Sequence, residues 1–174
     1  MREYNRQYGQ SNDIDYRSVM PTKLYGPVAS YYSENSHVIP ALIRRFHDAK
    51  INNLPEVAVR GIGTPRREFL HVDDMAEAAI FLMCLAKEVY SMNVQPMESQ
   101  INVGSGEDIM LADLAKIIKT IVGYSGRVIF DGTKPDGSPQ KRMDSSKILS
   151  LGWRPIKDIV TGLNAVYCEY SKDH

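Results

Sequence analysis

The chain has 174 residues, 43% hydrophobic and 24% charged, which suits a globular domain with a real core. Lysine plus arginine equals aspartate plus glutamate at 21 each, a neutral balance that argues against a nucleic-acid binder and leaves room for a local basic pocket. No apolar run approaches membrane-spanning length, and the polar start MREYNRQYGQ lacks the apolar centre of a secretory signal, so a cytoplasmic location is the expectation.

Arg2 to Tyr8 reads as helix, with Gly9 as its stop. Its abrupt start, without a capping residue, resembles the tail of a longer helix. Arg17 to Met20 suits a short strand ended by Pro21, after which Pro21 to Pro27 reads as a strand end running into a loop. Loops at strand ends carry ligands in α/β folds. Val28 to Ser36 is polar and is expected to be a mobile loop. Asn35 or Ser36 then caps a helix from about His37 to Ala49, with Pro40 in its first turn, where a missing donor costs little. Val38, Ala41, Leu42, Phe46 and Ala49 share one face, and Arg44, Arg45, His47 and Asp48 lie off it.

An apolar run, Val57 to Val59, precedes the stretch GIGTPRREFLHVDD. Gly61, Gly63 and Pro65 make a tight turn that presents Arg66 and Arg67, Phe69 to Val72 is extended, and Asp74 with Glu77 has capping-box spacing for the next helix. A guanidinium offers a planar fork of donors suited to phosphate. The alternative for both arginines is solvation or pairing with carboxylates.

Met75 to Lys87 reads as an apolar helix packed on a sheet, its methionines as core filler. Ile101 to Gly104 is a buried strand entering Gly104-Ser105-Gly106, which lacks the third glycine of a dinucleotide fingerprint. Leu111 to Val122 is an amphipathic helix ended by Gly123, Arg127 to Phe130 a strand, and Asp131 to Lys141 a turn-rich loop carrying Lys134, Asp136 and Lys141. Ser145 to Leu149 and Ile156 to Tyr170 complete the helices. Cys84 and Cys168 sit in apolar helical patterns and are expected to be buried free thiols. Alternating strands and helices, too few for a whole sheet, imply an α/β fold that forms part of a larger one.

The chemistry-bearing groups are His37, Arg45, Arg60, Arg66, Arg67, Lys134, Asp136 and Lys141. Several cations with one histidine suit a phosphorylated, nucleotide-like ligand. His37 alone reads equally as a surface histidine in a first helical turn. No zinc-ligand spacing and no Gly-x-Ser-x-Gly elbow occurs.

The segments Asn5 to Gly9, Arg17 to Thr22, Leu24 to Pro27, Asn35 to Leu42, Gly63 to Pro65, Arg67 to Met75 and Lys134 to Gly137 closely resemble the GDP-L-fucose synthase family of extended short-chain dehydrogenase/reductases. The resemblance covers essentially the whole chain. It implies the C-terminal part of a Rossmann-like enzyme: residues 1–27 and about 64–104 from an NADP-binding lobe, about 28–63 and 105–174 from a lobe that binds a GDP-sugar. The family epimerises C3 and C5 of GDP-4-keto-6-deoxy-D-mannose and reduces C4 with NADPH, giving GDP-L-fucose.

By that resemblance Pro21, Thr22, Lys23 and Leu24 line the nicotinamide side of an NADP(H) site together with His37, which also matches the proton-transferring histidine of epimerisation. Arg45, Arg67, Asp136 and Lys141 match substrate-contacting positions. Arg60, counted with them, stands where relatives can carry tryptophan. The family's Gly-x-x-Gly-x-x-Gly loop and Tyr-x-x-x-Lys pair are not found in this sequence, so the chain alone is not expected to turn over. A colitose-synthase-type enzyme and a non-catalytic GDP-sugar-binding fragment are the alternatives. No metal, nucleic acid or membrane partner is expected, and the full-length family enzyme is expected to be a homodimer.

Overall fold

The computed structural model describes residues 15–27, 31, 36–95, 99–133 and 137–173. The expected helix at Arg2 to Tyr8, most of the Val28 to Ser36 loop, and Lys134 to Asp136 lie outside the described residues. Within them, strands β1 (Ser18–Pro21) and β2 (Lys23–Tyr25) precede helix α1 (Val38–Ile51). Then come β3 (Glu56–Arg60), β4 (Arg66–His71), α2 (Val72–Cys84), α3 (Lys87–Met92), β5 (Gln100–Val103) and β6 (Asp108–Met110). The chain continues through α4 (Leu111–Val122), β7 (Arg127–Asp131), β8 (Gln140–Lys141), α5 (Ser146–Ser150) and α6 (Ile159–Asp173). The α/β class expected from the sequence is the one observed.

Three small sheets organise these elements. β1 pairs parallel with β5, and β3 parallel with β7. β4 is the hub of the third: β2 and β8 run parallel to it and β6 antiparallel. Side chains alternate across a strand, so β4 serves two cores. Phe69 packs into one, built from Leu42, Ile43 and Phe46 of α1, Val57 and Val59 of β3, Leu114 and Ile118 of α4, and Leu163 and Val166 of α6. Leu70 packs into the other, with Ala78 and Leu82 of α2, Ile101 and Val103 of β5, Ile148 and Trp153.

Several local expectations are corrected. Pro21 lies within β1, opposite Val103, and the presumed loop after it holds β2, whose Leu24 faces Leu70. The residue before α1 is His37, with no side-chain cap bond, so neither Asn35 nor Ser36 occupies that position. His47 is buried between helices, its Nδ1 3.2 Å from the Tyr167 hydroxyl, because α1 packs against α6 as well as against α4. α2 starts earlier than expected, at Val72, and its cap is His71, whose Nδ1 accepts from the Asp73 amide. Asp74 forms no capping box: its buried carboxylate accepts from the amides of Ile156 and Lys157. Cys84 and Cys168 are exposed, as are Met83 (72%) and Ile80 (61%) on the outer face of α2, so Met83 and the two cysteines are not filler, whereas Met75 packs against the second core as expected.

Among the described residues no helix is long and apolar enough to cross a membrane. The largest fully buried side chain among the described residues is Phe46, with its ring stacked 5.7 Å from that of Tyr124. Phe46→Ala is predicted to cost about 3–5 kcal/mol in urea unfolding, whereas Ile80→Ala should stay within about 0.5 kcal/mol. Equal effects from the two would contradict this core assignment.

Candidate functional site

The two arginines expected on a turn instead occupy the first two positions of β4, where they face opposite ways. Arg66 is exposed and bound to Asp108, its Nε 2.6 Å from Oδ1. The carboxylate-paired alternative therefore describes Arg66. Arg67 turns inward to 8% exposure, with Nη1 donating to the Arg66 carbonyl at 2.7 Å.

Arg67 meets Lys23, Leu24, His37, Val38, Ile39, Phe69 and Leu111 around one cavity of about 120 Å³. The sheet explains this convergence. β2 lies beside β4 with Lys23 opposite Phe69, two residues along from Arg67. β8 lies beside β4 with Lys141 opposite Arg67, exposed and outside the cavity lining. His37 is exposed at the head of α1, whose first turn carries no acidic residue, so the positive end of the helix dipole adds to the cations. Partial burial, with Lys141 and then Arg67 nearby, holds the Lys23 ammonium below the ordinary lysine pKa. An imidazole at the rim of a small cationic cavity can exchange a proton with a bound anion-bearing molecule that the cations hold in place.

The other expected residues fall elsewhere. Pro21 and Thr22 do not line the cavity. They continue the sheet, Pro21 opposite Val103 and the Thr22 amide donating to the Val103 carbonyl at 2.9 Å. Arg45 is exposed and reaches the Ala58 carbonyl of β3 at 3.3 Å, and Arg60 is exposed at the end of that strand. Neither lines the cavity. Asp136 lies outside the described residues.

Sequence reasoning missed Glu68, which is fully buried between these features. Its carboxylate accepts from the amides of Gly106 (2.8 Å) and Met143 (2.9 Å). A Cβ on Gly104 would lie 2.4 Å from Glu68 Oε1. The Gly-Ser-Gly turn therefore wraps a protein carboxylate. The signal was available in the alternation of Arg66, Glu68 and Leu70, which places Glu68 on the face away from Arg67. Among the described residues no group of three His, Cys, Asp or Glu could hold a metal ion.

Residues 1–103 match the NAD dependent epimerase/dehydratase family, and the chain belongs to it. The chain is similar to GDP-L-fucose synthase of Escherichia coli, 56% identical over 164 residues, covering 94% of this chain and 50% of that protein. It is 49% identical to a probable GDP-L-fucose synthase of Oryza sativa subsp. japonica, covering 96% and 47%. A solved GDP-L-fucose synthetase from Naegleria fowleri superposes with a TM-score of 0.87 at 24% identity, over 99% of this chain and 51% of that one, and shows the shared fold. The chain spans about half the length of the curated relatives it matches.

Glu68→Ala is predicted to destabilise by about 1–3 kcal/mol, since two partly buried amides lose their acceptor. Amide hydrogen exchange at Gly106 and Met143 should accelerate with it. Unchanged protection at both positions would remove Glu68 from its supporting role.

Proposed function

We propose that this chain supplies the substrate side of an NADP(H)-dependent GDP-L-fucose synthase, which epimerises C3 and C5 of GDP-4-keto-6-deoxy-D-mannose and reduces C4. The observation that carries the reading is the cavity where His37 and Arg67 meet, both at positions that match the family pattern. At about 120 Å³ it is smaller than the 300–1,000 Å³ usual for a whole ligand. It suits one part of a nucleotide-sugar, the remainder lying outside it.

The hydrogens at C3 and C5 flank a ketone and are acidic, so epimerisation needs a proton removed from one face and returned to the other. His37, exposed and lining the cavity, would return it. Arg67, backed by Lys141, would hold the diphosphate by charge-assisted hydrogen bonds, fixing the sugar relative to the imidazole. Arg45, Arg60 and Asp136 would contact the rest of the nucleotide-sugar.

NADP(H) would supply the hydride for C4. The nicotinamide end would sit against Leu24, which is apolar, exposed and shares the cavity with His37, and beside Pro21, which ends a parallel strand, where α/β folds bind cofactors. A Gly-rich phosphate loop and a Tyr-x-x-x-Lys proton donor would also be needed, and this sequence contains neither. We therefore assign binding and proton transfer to this chain, and not hydride delivery by itself. In this reading the lobes divide as residues 1–27 and about 64–104 against about 28–63 and 105–174, the enzyme is cytoplasmic, and the full-length protein is a homodimer.

Calorimetric titration of GDP into the purified chain tests the proposal. Binding that weakens tenfold or more (about 1.4 kcal/mol) in Arg67→Ala is the expected result. Absence of GDP binding by a chain that unfolds cooperatively would overturn it. Tighter binding of a GDP-3,6-dideoxy-4-keto sugar than of GDP-4-keto-6-deoxy-D-mannose would redirect it to the colitose reaction.

A further inference from the structure

A second cavity, of about 440 Å³, shares the Phe69 side chain with the first but none of Lys23, His37 or Arg67. It is large enough to take a whole small ligand. Tyr25, Phe69, Ile109, Pro155, Ile156 and Ile159 give it an apolar body, and Ile156 is left 74% exposed beside it. The charges around it do not balance. Glu107, Asp108 and Asp158 line it against Lys157 alone. Lys157 is already matched, its Nζ 2.5 Å from Asp73 Oδ2. Asp108 is matched by Arg66, and Asp158 accepts from the Val160 and Thr161 amides at the start of α6. Glu107 is left over: it is exposed, and among the described residues it pairs with no cation. Its backbone is fixed by Ser105 Oγ, which donates to the Glu107 carbonyl at 3.0 Å and accepts from its amide at 3.3 Å.

A second observation is independent of these charges. Tyr25 lines the cavity and is only 5% exposed, yet among the described residues its hydroxyl has no hydrogen-bond partner. Buried hydroxyls are normally satisfied, because leaving one without a partner is costly. A Cβ on Gly162 would lie 2.2 Å from that oxygen, so α6 leaves room for the hydroxyl without offering it a bond. Burial, then the Asp74 and Asp158 carboxylates, push the phenol above its ordinary pKa. It therefore stays neutral and can accept a hydrogen bond from an ammonium group. The negative surroundings that resist a phenolate favour a cation.

We propose that this cavity is a second ligand site, for a small organic cation whose ammonium group is taken by Glu107 and Tyr25 and whose apolar body is taken by Phe69 and the isoleucines. An aromatic wall adds to this preference, since ring faces attract cations. The carboxylates disfavour an anion, which sets this ligand apart from a nucleotide-sugar. The site shares no charged residue with the first cavity, so it stands or falls separately from the nucleotide-sugar reading.

The test is titration of 2-phenylethylamine, phenylacetate and 2-phenylethanol into the wild-type chain, Glu107→Gln and Tyr25→Phe at neutral pH. The three probes share one apolar body and differ in charge. The amine should bind wild type more tightly than either of the others. Glu107→Gln should weaken the amine up to about fivefold, the loss of one exposed charge contact. Tyr25→Phe should weaken it by about as much and leave GDP binding unchanged. No amine binding by the folded wild-type chain would overturn the site, as would phenylacetate or 2-phenylethanol bound as tightly as the amine. Amine binding that neither substitution changes would overturn it too. If Tyr25→Phe does not fold, Glu107→Gln decides alone, and unchanged amine affinity there sinks the site. Amine binding of the expected pattern without GDP binding would sustain this site and sink the nucleotide-sugar reading. GDP binding without amine binding would do the reverse.

Discussion

The two-residue period of β4 is the constraint from which the rest follows. Six residues must satisfy two hydrophobic cores and a polar cavity at once. Arg67 and Phe69 share one face, Glu68 and Leu70 the other. Phe69 belongs to the core that carries α1, and Leu70 to the core that carries α2. A slip of one residue would move an arginine onto the Glu68 site and a glutamate into the cavity. It would also exchange the two apolar contacts. Few registers are so strongly over-determined, and this one fixes where the cations point.

That register is held as much by buried carboxylates as by apolar packing. Glu68 and Asp74 are each buried, and each accepts from two backbone amides rather than from a cationic side chain. An amide donor satisfies a carboxylate without burying a second full charge, which avoids part of the desolvation cost of a buried ion pair. It also ties distant segments to β4 and to the first turn of α2. Glu68 binds the turn after β5 and the segment after β8, while Asp74 binds the approach to α6. Three stretches of chain far apart in sequence are thus referred to the same seven residues, 68–74. The cavity inherits their rigidity, because β2, β8 and the head of α1 are positioned by the same scaffold.

Elements with a long, self-consistent pattern were legible. Leu111 to Val122 was read to the residue, since its apolar stripe is continuous and Gly123, at φ 72°, takes a left-handed conformation that side chains resist. The apolar runs at β3, β5 and β7 were equally plain. β2, β6 and β8 were not, because two or three residues carry no period; they are strands only because β4 offers them an edge. The inward turn of Arg67 was hidden by the glycines and proline before it, which drew the turn too far along the chain. Asp74 looked like a local cap because Glu77 stood at the right spacing. Its true donors, Ile156 and Lys157, lie 82 and 83 residues away, where no local pattern points. His47 was placed off the apolar face of α1 because a single stripe was assumed, and the helix has more than one neighbour.

Of the site itself, residue identity was legible and company was not. His37 and Arg67 stand 30 positions apart in the sequence, and nothing local says that they share a cavity with Lys23. The fold makes that association through strand register. It also separates residues that the sequence presents as a run: Lys23 and Leu24 reach the cavity, while Pro21 and Thr22 spend their backbone on β5. The cavity sets Lys23, Arg67 and the His37 imidazole over an otherwise apolar lining of Leu24, Val38, Ile39, Phe69 and Leu111. The fully buried Glu68, immediately adjacent to Arg67 in the chain, ties that strand to Gly106 and Met143 on the opposite face.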